Sequence, residues 1–99
     1  MARLALEESA WADLDQLADF LAAGDSEGAI ETASLIFEAL SVLERHPMIG
    51  RPVEEGLREL VISRGRSGYV ALYAYLEAED LVLVLAVRHQ REGGDPASR

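Results

Sequence analysis

The chain has no cysteine and no lysine. Without cysteine there is no disulfide, no zinc finger and no thiol nucleophile. Without lysine, every cationic side chain is an arginine. Histidine is scarce too: His46 and His89 stand alone, with no partner at metal-ligand spacing, so neither a metal nor a cofactor is expected. Long apolar runs are missing. The longest, Leu81 to Val87, lies between Asp80 and Arg88 and falls well short of the roughly 18 residues that span a membrane. The N-terminus lacks the basic-then-apolar pattern of a signal peptide. Together these absences imply a cytoplasmic, soluble protein. Gly65 and Gly68 carry no phosphate-loop fingerprint, and Ser63 and Ser67 sit in no nucleophile-elbow context.

What is present is enough for one compact core. The chain has 99 residues, 49% of them hydrophobic and 27% charged. That fits a single domain over residues 1–99, with a polar tail from about residue 93, and excludes a disordered chain. Eighteen acids face nine arginines, a formal net charge of −9. A protein that grips nucleic acid by neutralising phosphates carries the opposite sign, so strong direct nucleic-acid binding is not expected. The balance is uneven. Residues 1–50 hold ten acids and two arginines, net −8, whereas residues 51–99 hold eight acids and seven arginines, net −1. Anion-facing or partner-facing chemistry therefore belongs to the second half.

Periodicity gives the elements. Arg3 to Glu7 alternates as a strand, with Leu4 and Leu6 on one face. Ser9 is a candidate cap for a helix from Ala10 to Ala23, whose apolar residues Trp11, Leu14, Leu17, Ala18 and Leu21 recur at helical spacing and which Gly24 ends. A second helix from about Glu27 to Arg45 carries a core stripe of Ile30, Ala33, Ile36, Phe37, Leu40 and Leu43. A further apolar group, Leu35, Ala39 and Val42, lies well around the helix. It reads either as a second buried side or as a self-association patch. His46 to Pro52, with two prolines and a glycine, is a loop. Strands follow over Leu57–Ile62, Tyr69–Leu76 and Leu81–Val87, the last apolar on both faces and so a covered central strand. The predicted class is α+β: an N-terminal strand and a helical hairpin packed on a small antiparallel sheet.

One constellation could carry chemistry. Arg51, Arg58, Arg64, Arg66, Tyr69, Tyr73, Arg88, His89 and Arg91 all fall in the strand ends and loops of the second half. Arginine offers a permanent forked charge for phosphate or carboxylate, and Tyr or His can stack on bases or move protons. Such a set could cleave RNA without a metal. The competing reading pairs the arginines with Glu54, Glu59 and Glu92 and places the tyrosines in the sheet. His89 alone reads as a hydrogen-bonder closing the last strand.

The ordered series Trp11-Ala12-Asp13-Leu14, Leu43-Glu44-Arg45-His46-Pro47, Gly50-Arg51-Pro52, Leu57-Arg58-Glu59-Leu60, Tyr69-Val70-Ala71-Leu72-Tyr73 and Val87-Arg88-His89-Gln90-Arg91-Glu92 resembles the ParE/RelE superfamily of toxins from plasmid-stabilisation and toxin–antitoxin operons. The resemblance spans roughly residues 3 to 93. It implies the fold derived above and a toxin neutralised by a cognate ParD-like antitoxin. Two activities go with it: ParE-like inhibition of DNA gyrase by binding, and RelE-like cutting of messenger RNA on the ribosome. The absent lysines, the negative charge and the run Gly93-Gly94-Asp95, where relatives often carry a tyrosine, favour the ParE-like activity and a binder over an enzyme. For a nuclease, the residues implied are Arg58, Arg88 and His89. For partner binding they are Arg51, Arg58, Arg64, Tyr69, Tyr73, Arg88 and Arg91. A third outcome is a homologue that binds its antitoxin without being toxic.

Overall fold

The computed structural model describes residues 1–24, 26–64 and 67–89. Arg66, Arg91, Glu92 and the tail from 93 lie outside the described residues. The order is β1 (Arg3–Leu6), α1 (Glu8–Gly24), α2 (Ser26–Val42), β2 (Arg51–Pro52), β3 (Leu57–Arg64), β4 (Ser67–Leu76), a 3₁₀ turn over Glu77–Glu79, and β5 (Leu81–His89). One sheet holds the strands in the order β1-β5-β4-β3-β2. From β2 to β5 it is an antiparallel meander, as the short connections require. β1 lies beside β5 and runs parallel to it, Arg3 opposite Leu81 and Leu6 opposite Val84. The α+β class holds, and the sheet is mixed. The expected order of elements also stands, with the two-residue β2 added where a loop was read.

The hairpin covers one face of the sheet. Ile36, Leu40 and Leu43 of α2 meet Ile62, Tyr69, Ala71, Tyr73, Val82, Val84 and Val87 in one buried cluster. Alternation along the strands and their register put these strand residues on one side. Among the described residues no helix covers the other face, where Val61, Val70, Leu72, Leu76, Leu81 and Leu83 are half-buried or exposed. The described residues therefore cover the strand expected to be central at Leu81–Val87 on one side only. Its pattern switches at a bulge: Leu72 pairs with Ala86 but Tyr73 with Val84, so Leu85 is the extra residue.

β1 protects β5 only as far as Val84, with the Glu7 N–H donating to Val84 O to close the ladder. Beyond that point α1 supplies the missing partners. The Ser9 hydroxyl donates to Leu85 O at 2.7 Å, and Asp13 Oδ2 accepts from the Val87 N–H at 3.0 Å. Ser9 thus ties α1 to the sheet instead of capping it. Glu7 flanks the start of the helix, and its carbonyl accepts from the Ala10 and Trp11 N–H groups.

Both helices keep part of the expected stripe and lose part of it. On α1 Leu14 and Leu17 pack against the core as expected, while Trp11 is 54% exposed and Ala18 is exposed; Ala10, outside the expected stripe, is fully buried. On α2 the inward side runs through Thr32, Ile36, Leu40 and Leu43, with Leu35 and Ala39 packed against the core. Leu35 and Ala39 therefore belong to the core side and do not form a free patch; Val42 alone of that trio is exposed. Ile30 and Phe37, expected in the core, face solvent. The physical reason is the thinness of the fold. A helix lying on one sheet can bury only one broad stripe, and α2 carries apolar residues around more than that arc. Helix α2 also ends earlier than expected, at Val42, and tightens through i→i−3 bonds from Leu43, Glu44 and Arg45.

Replacing Asp13 by Ala leaves the Val87 N–H without its partner. We expect a loss of about 1–2 kcal/mol in urea unfolding, with amide exchange accelerated at Val87 and not across β3.

Candidate partner-binding surfaces

The run from α2 to the sheet passes through Gly50, which is buried. Two strands grip it. The Gly50 N–H donates to the Tyr73 hydroxyl at 2.9 Å, and Arg58 Nη1 donates to Gly50 O at 2.7 Å and Met48 O at 3.1 Å. The register makes this possible, because Arg58 of β3 lies directly opposite Tyr73 of β4. A Cβ at position 50 would sit 2.7 Å from Glu59 O and from the Tyr73 ring, so only glycine fits. One residue on, Arg51 pairs with Glu59 at 2.9 Å, across from it in the β2–β3 ladder.

This arrangement reassigns several expected partner-facing residues. Tyr73 is 0% exposed and Tyr69 is 2% exposed. Both are core side chains and offer no surface to a partner. Arg58 is held by two backbone carbonyls. Arg51 remains solvent-accessible, with its head on Glu59, and Arg88 is exposed. Arg64 ends β3, opposite Ser67.

The three residues implied for a nuclease do not converge. Alternation puts Arg88 on the open face, level with Val70 and Val61, while Arg58 and His89 belong to the opposite, helix-side face. Arg58 is level with Tyr73 and His89 with Tyr69, four residues away, or about 13 Å along the strands. His89 closes the last strand, its ring edge-on to Tyr69 at a centroid distance of 5.1 Å.

At the far end of the sheet, Asp80 adopts a left-handed conformation (φ 51°) and accepts a 2.6 Å hydrogen bond from the Tyr75 hydroxyl. This bond to the carboxylate holds the Tyr75 phenol above its ordinary range, with desolvation and the charges of Asp80 and Glu77 adding to the effect. The protonated phenol is the form favoured by the fold. Its stabilising contribution is present below the phenol's unfolded pKa and is lost as pH rises through the raised value.

Two surfaces remain open. On β3, β2 pairs only with Arg58 and Glu59, so among the described residues the backbone from Leu60 to Arg64 has no strand outside it. The open sheet face is the second: an aliphatic centre with Arg3, Arg51 and Arg88 around it. Sequence reasoning missed a third feature, a cleft between α1 and α2 lined by Trp11 and Phe37, because it assigned both residues to the core. The available signal was an apolar arc on α2 too wide for a two-layer fold. Among the described residues no group of His, Asp and Glu is arranged to hold a metal, and no helix is long and apolar enough to cross a membrane.

The family model for the ParE toxin of type II toxin–antitoxin systems, parDE, matches residues 4–93, and the chain belongs to that family. Its fold is similar to the chromosomal ParDE toxin–antitoxin system from P. aeruginosa, with a TM-score of 0.76, 25% identity, and coverage of 90% of this chain and 96% of that one. It is also similar to the intact E. coli RelBE toxin–antitoxin complex, with a TM-score of 0.65, 16% identity, and coverage of 89% and 95%. The RelBE2 complex from Mycobacterium tuberculosis shares the fold at a TM-score of 0.60 and 22% identity, over 89% of this chain and 90% of that one. No curated protein matches the chain.

Gly50→Ala should cost about 1–3 kcal/mol in chemical denaturation, the range for forced overpacking. Tyr73→Phe, which strands the Gly50 N–H, should cost about 1–3 kcal/mol. Asp80→Asn should lower the Tyr75 transition in an ultraviolet alkaline titration.

Proposed function

We propose that this ParE-family chain is the toxin of a parDE-type pair, that it inhibits DNA gyrase by binding, and that a cognate ParD-like antitoxin neutralises it. The observation that carries the choice of binding over RNA cleavage is the separation of Arg58, Arg88 and His89. A phosphorane needs its cations and its proton-transfer group around one atom, and these three are divided between two faces, with Arg58 already engaged by carbonyls. The acidic composition argues the same way, since a net charge of −9 works against capture of ribosomal RNA.

The antitoxin would use what the fold leaves open. An extended segment can add to the free edge of β3 at Leu60–Arg64, taking its backbone hydrogen bonds. Side chains from that segment would fall alternately over the open face, where acids would meet Arg88 and Arg51. Arg58 lies on the helix-side face and is engaged by Met48 O and Gly50 O, so the reading places no antitoxin contact on it, and replacing it would disturb the Gly50 loop.

Two assays run side by side with purified protein test the reading: gyrase supercoiling, and cleavage of messenger RNA on programmed ribosomes. Loss of supercoiling with intact message is the expected result. Cleaved message would replace it with the RelE-like activity. Induced expression should give filamentation with a DNA-damage response, and a normal growth rate would mark an antitoxin-binding homologue without toxicity. Arg88→Glu should weaken antitoxin binding by about three- to tenfold, the scale of one exposed charge pair reversed. Unchanged affinity would remove Arg88 from the interface.

A further inference from the structure

The turn that carries the chain from α2 into the sheet has an outer side that the antitoxin reading does not use. Its backbone is tied from within. The Ile49 N–H donates to His46 O at 3.1 Å, the Gly50 N–H donates to the Tyr73 hydroxyl, and Arg58 reaches both Met48 O and Gly50 O. Its apolar side chains lie in solvent: Met48 is 54% exposed, Ile49 56% and Val53 41%. No other six-residue stretch among the described residues leaves three large apolar side chains exposed. Exposed apolar groups gathered in one place mark an interaction site.

Rigidity matters to such a surface, because ordering a loop on binding costs free energy. Here the order exists before any partner arrives. A buried glycine, a tyrosine hydroxyl and an arginine hold a turn whose outward side chains take no part in the core cluster. Charge adds to the description. The nine residues between Glu44 and Glu54 hold two arginines and no acid. Arg45 is exposed, and so is Arg51, even with its head on Glu59. Methionine and arginine are enriched at protein interfaces, whereas Asp and Glu are depleted there.

We propose that this turn is the contact through which the toxin grips its target protein, with Met48 and Ile49 entering an apolar pocket rimmed by carboxylates and with Arg45 and Arg51 flanking these anchors. The identity of the target rests on the gyrase reading above. Charge decides against other occupants. Two arginines neutralise two phosphates, too few for nucleic acid against a net charge of −9. A second copy placed turn to turn would bring like charges together. The position also accounts for neutralisation. β2 fills the row beside β3 as far as Arg51, opposite Glu59. A strand added at Leu60 continues that row about one 3.3 Å step further on. An antitoxin segment there would crowd the turn and compete for Arg51, so antitoxin and target would exclude each other.

Purified chain and DNA gyrase provide the test. Met48→Ser combined with Ile49→Ser, both exposed positions, should raise the half-inhibitory concentration for supercoiling at least about tenfold, with far-ultraviolet circular dichroism unchanged. Arg45→Glu should raise it about three- to tenfold. Ile30→Ser, an exposed position on α2, should leave it unchanged. In the wild-type chain, bound gyrase should slow the oxidation of the Met48 thioether to its sulfoxide by added peroxide, read by peptide mass spectrometry against a free methionine peptide. The oxidation rate needs no variant, so it decides even where the double variant misfolds. Wild-type inhibition by the double variant, no response to Arg45→Glu, an equal loss in Ile30→Ser, or undiminished Met48 oxidation in the complex would overturn the proposal and leave the gyrase reading standing. A wild-type chain without effect on supercoiling would remove both.

Discussion

The fold depends on how the chain is held where it passes from the helical layer into the sheet. At Gly50 both backbone groups are buried and both must find partners. The N–H finds Tyr73 and the carbonyl finds Arg58. These side chains come from paired positions on neighbouring strands, so one register satisfies one glycine from two sides. A slip of one residue would turn Arg58 and Tyr73 to opposite faces of the sheet. The loop and the register therefore fix each other. Arg51, next in the chain, can then reach Glu59, and β2 ends at Pro52, which an edge strand tolerates, with one more bond beyond it from the Val53 N–H to Leu57 O at 3.1 Å.

This constraint changes the meaning of the residues that look functional. Gly50-Arg51-Pro52, Leu57-Arg58-Glu59-Leu60 and Tyr69-Val70-Ala71-Leu72-Tyr73 carried much of the family resemblance, and in space they meet around one turn. Arginine suits that place because one terminal nitrogen, Nη1, carries two N–H groups in a fixed plane and serves both carbonyls, whereas lysine would bring a compact, more strongly hydrated charge. A cluster of arginine and tyrosine can thus be a structural device. What remains for partners is the free edge of β3, the open sheet face with Arg51 and Arg88 around it, and the cleft of the hairpin, together with the outward side chains of the turn.

Much of the fold was legible because local chemistry encodes it. Gly24 divides two helical periods, Pro47 and Pro52 frame a loop, and alternation from Tyr69 to Leu76 put Tyr69, Tyr73 and Tyr75 on one side, as found. What was hidden is set by distant parts of the chain. The direction of β1 follows from its neighbour, which lies more than seventy residues away in sequence. The bulge at Leu85 sits inside an unbroken apolar run, where a change of parity leaves no trace. Ser9 looked like a cap because hydroxyl residues favour helix starts, but a strand edge nearby competed for the same hydroxyl. On α2 the pattern offered more apolar residues than one face holds. Which of them turned outward was decided by where the sheet lay, and this is why Ile30 and Phe37 were misplaced and Leu35 and Ala39 were not seen as core.

The charge asymmetry of the sequence becomes a division in space. The first fifty residues, net −8, are mostly the hairpin, and the helices contain no base. Every described arginine lies outside those helices, on a strand or in the turn after α2. A helix with its side chains is about 10 Å across, and the Debye length at physiological salt is about 8 Å. The acids on the outer side of the hairpin are therefore largely screened from the open face of the sheet. A net charge of −9 then says little about any one surface. An acidic segment can approach the arginines around the sheet while a basic one approaches the helices, and a partner carrying both could engage the molecule in only one orientation.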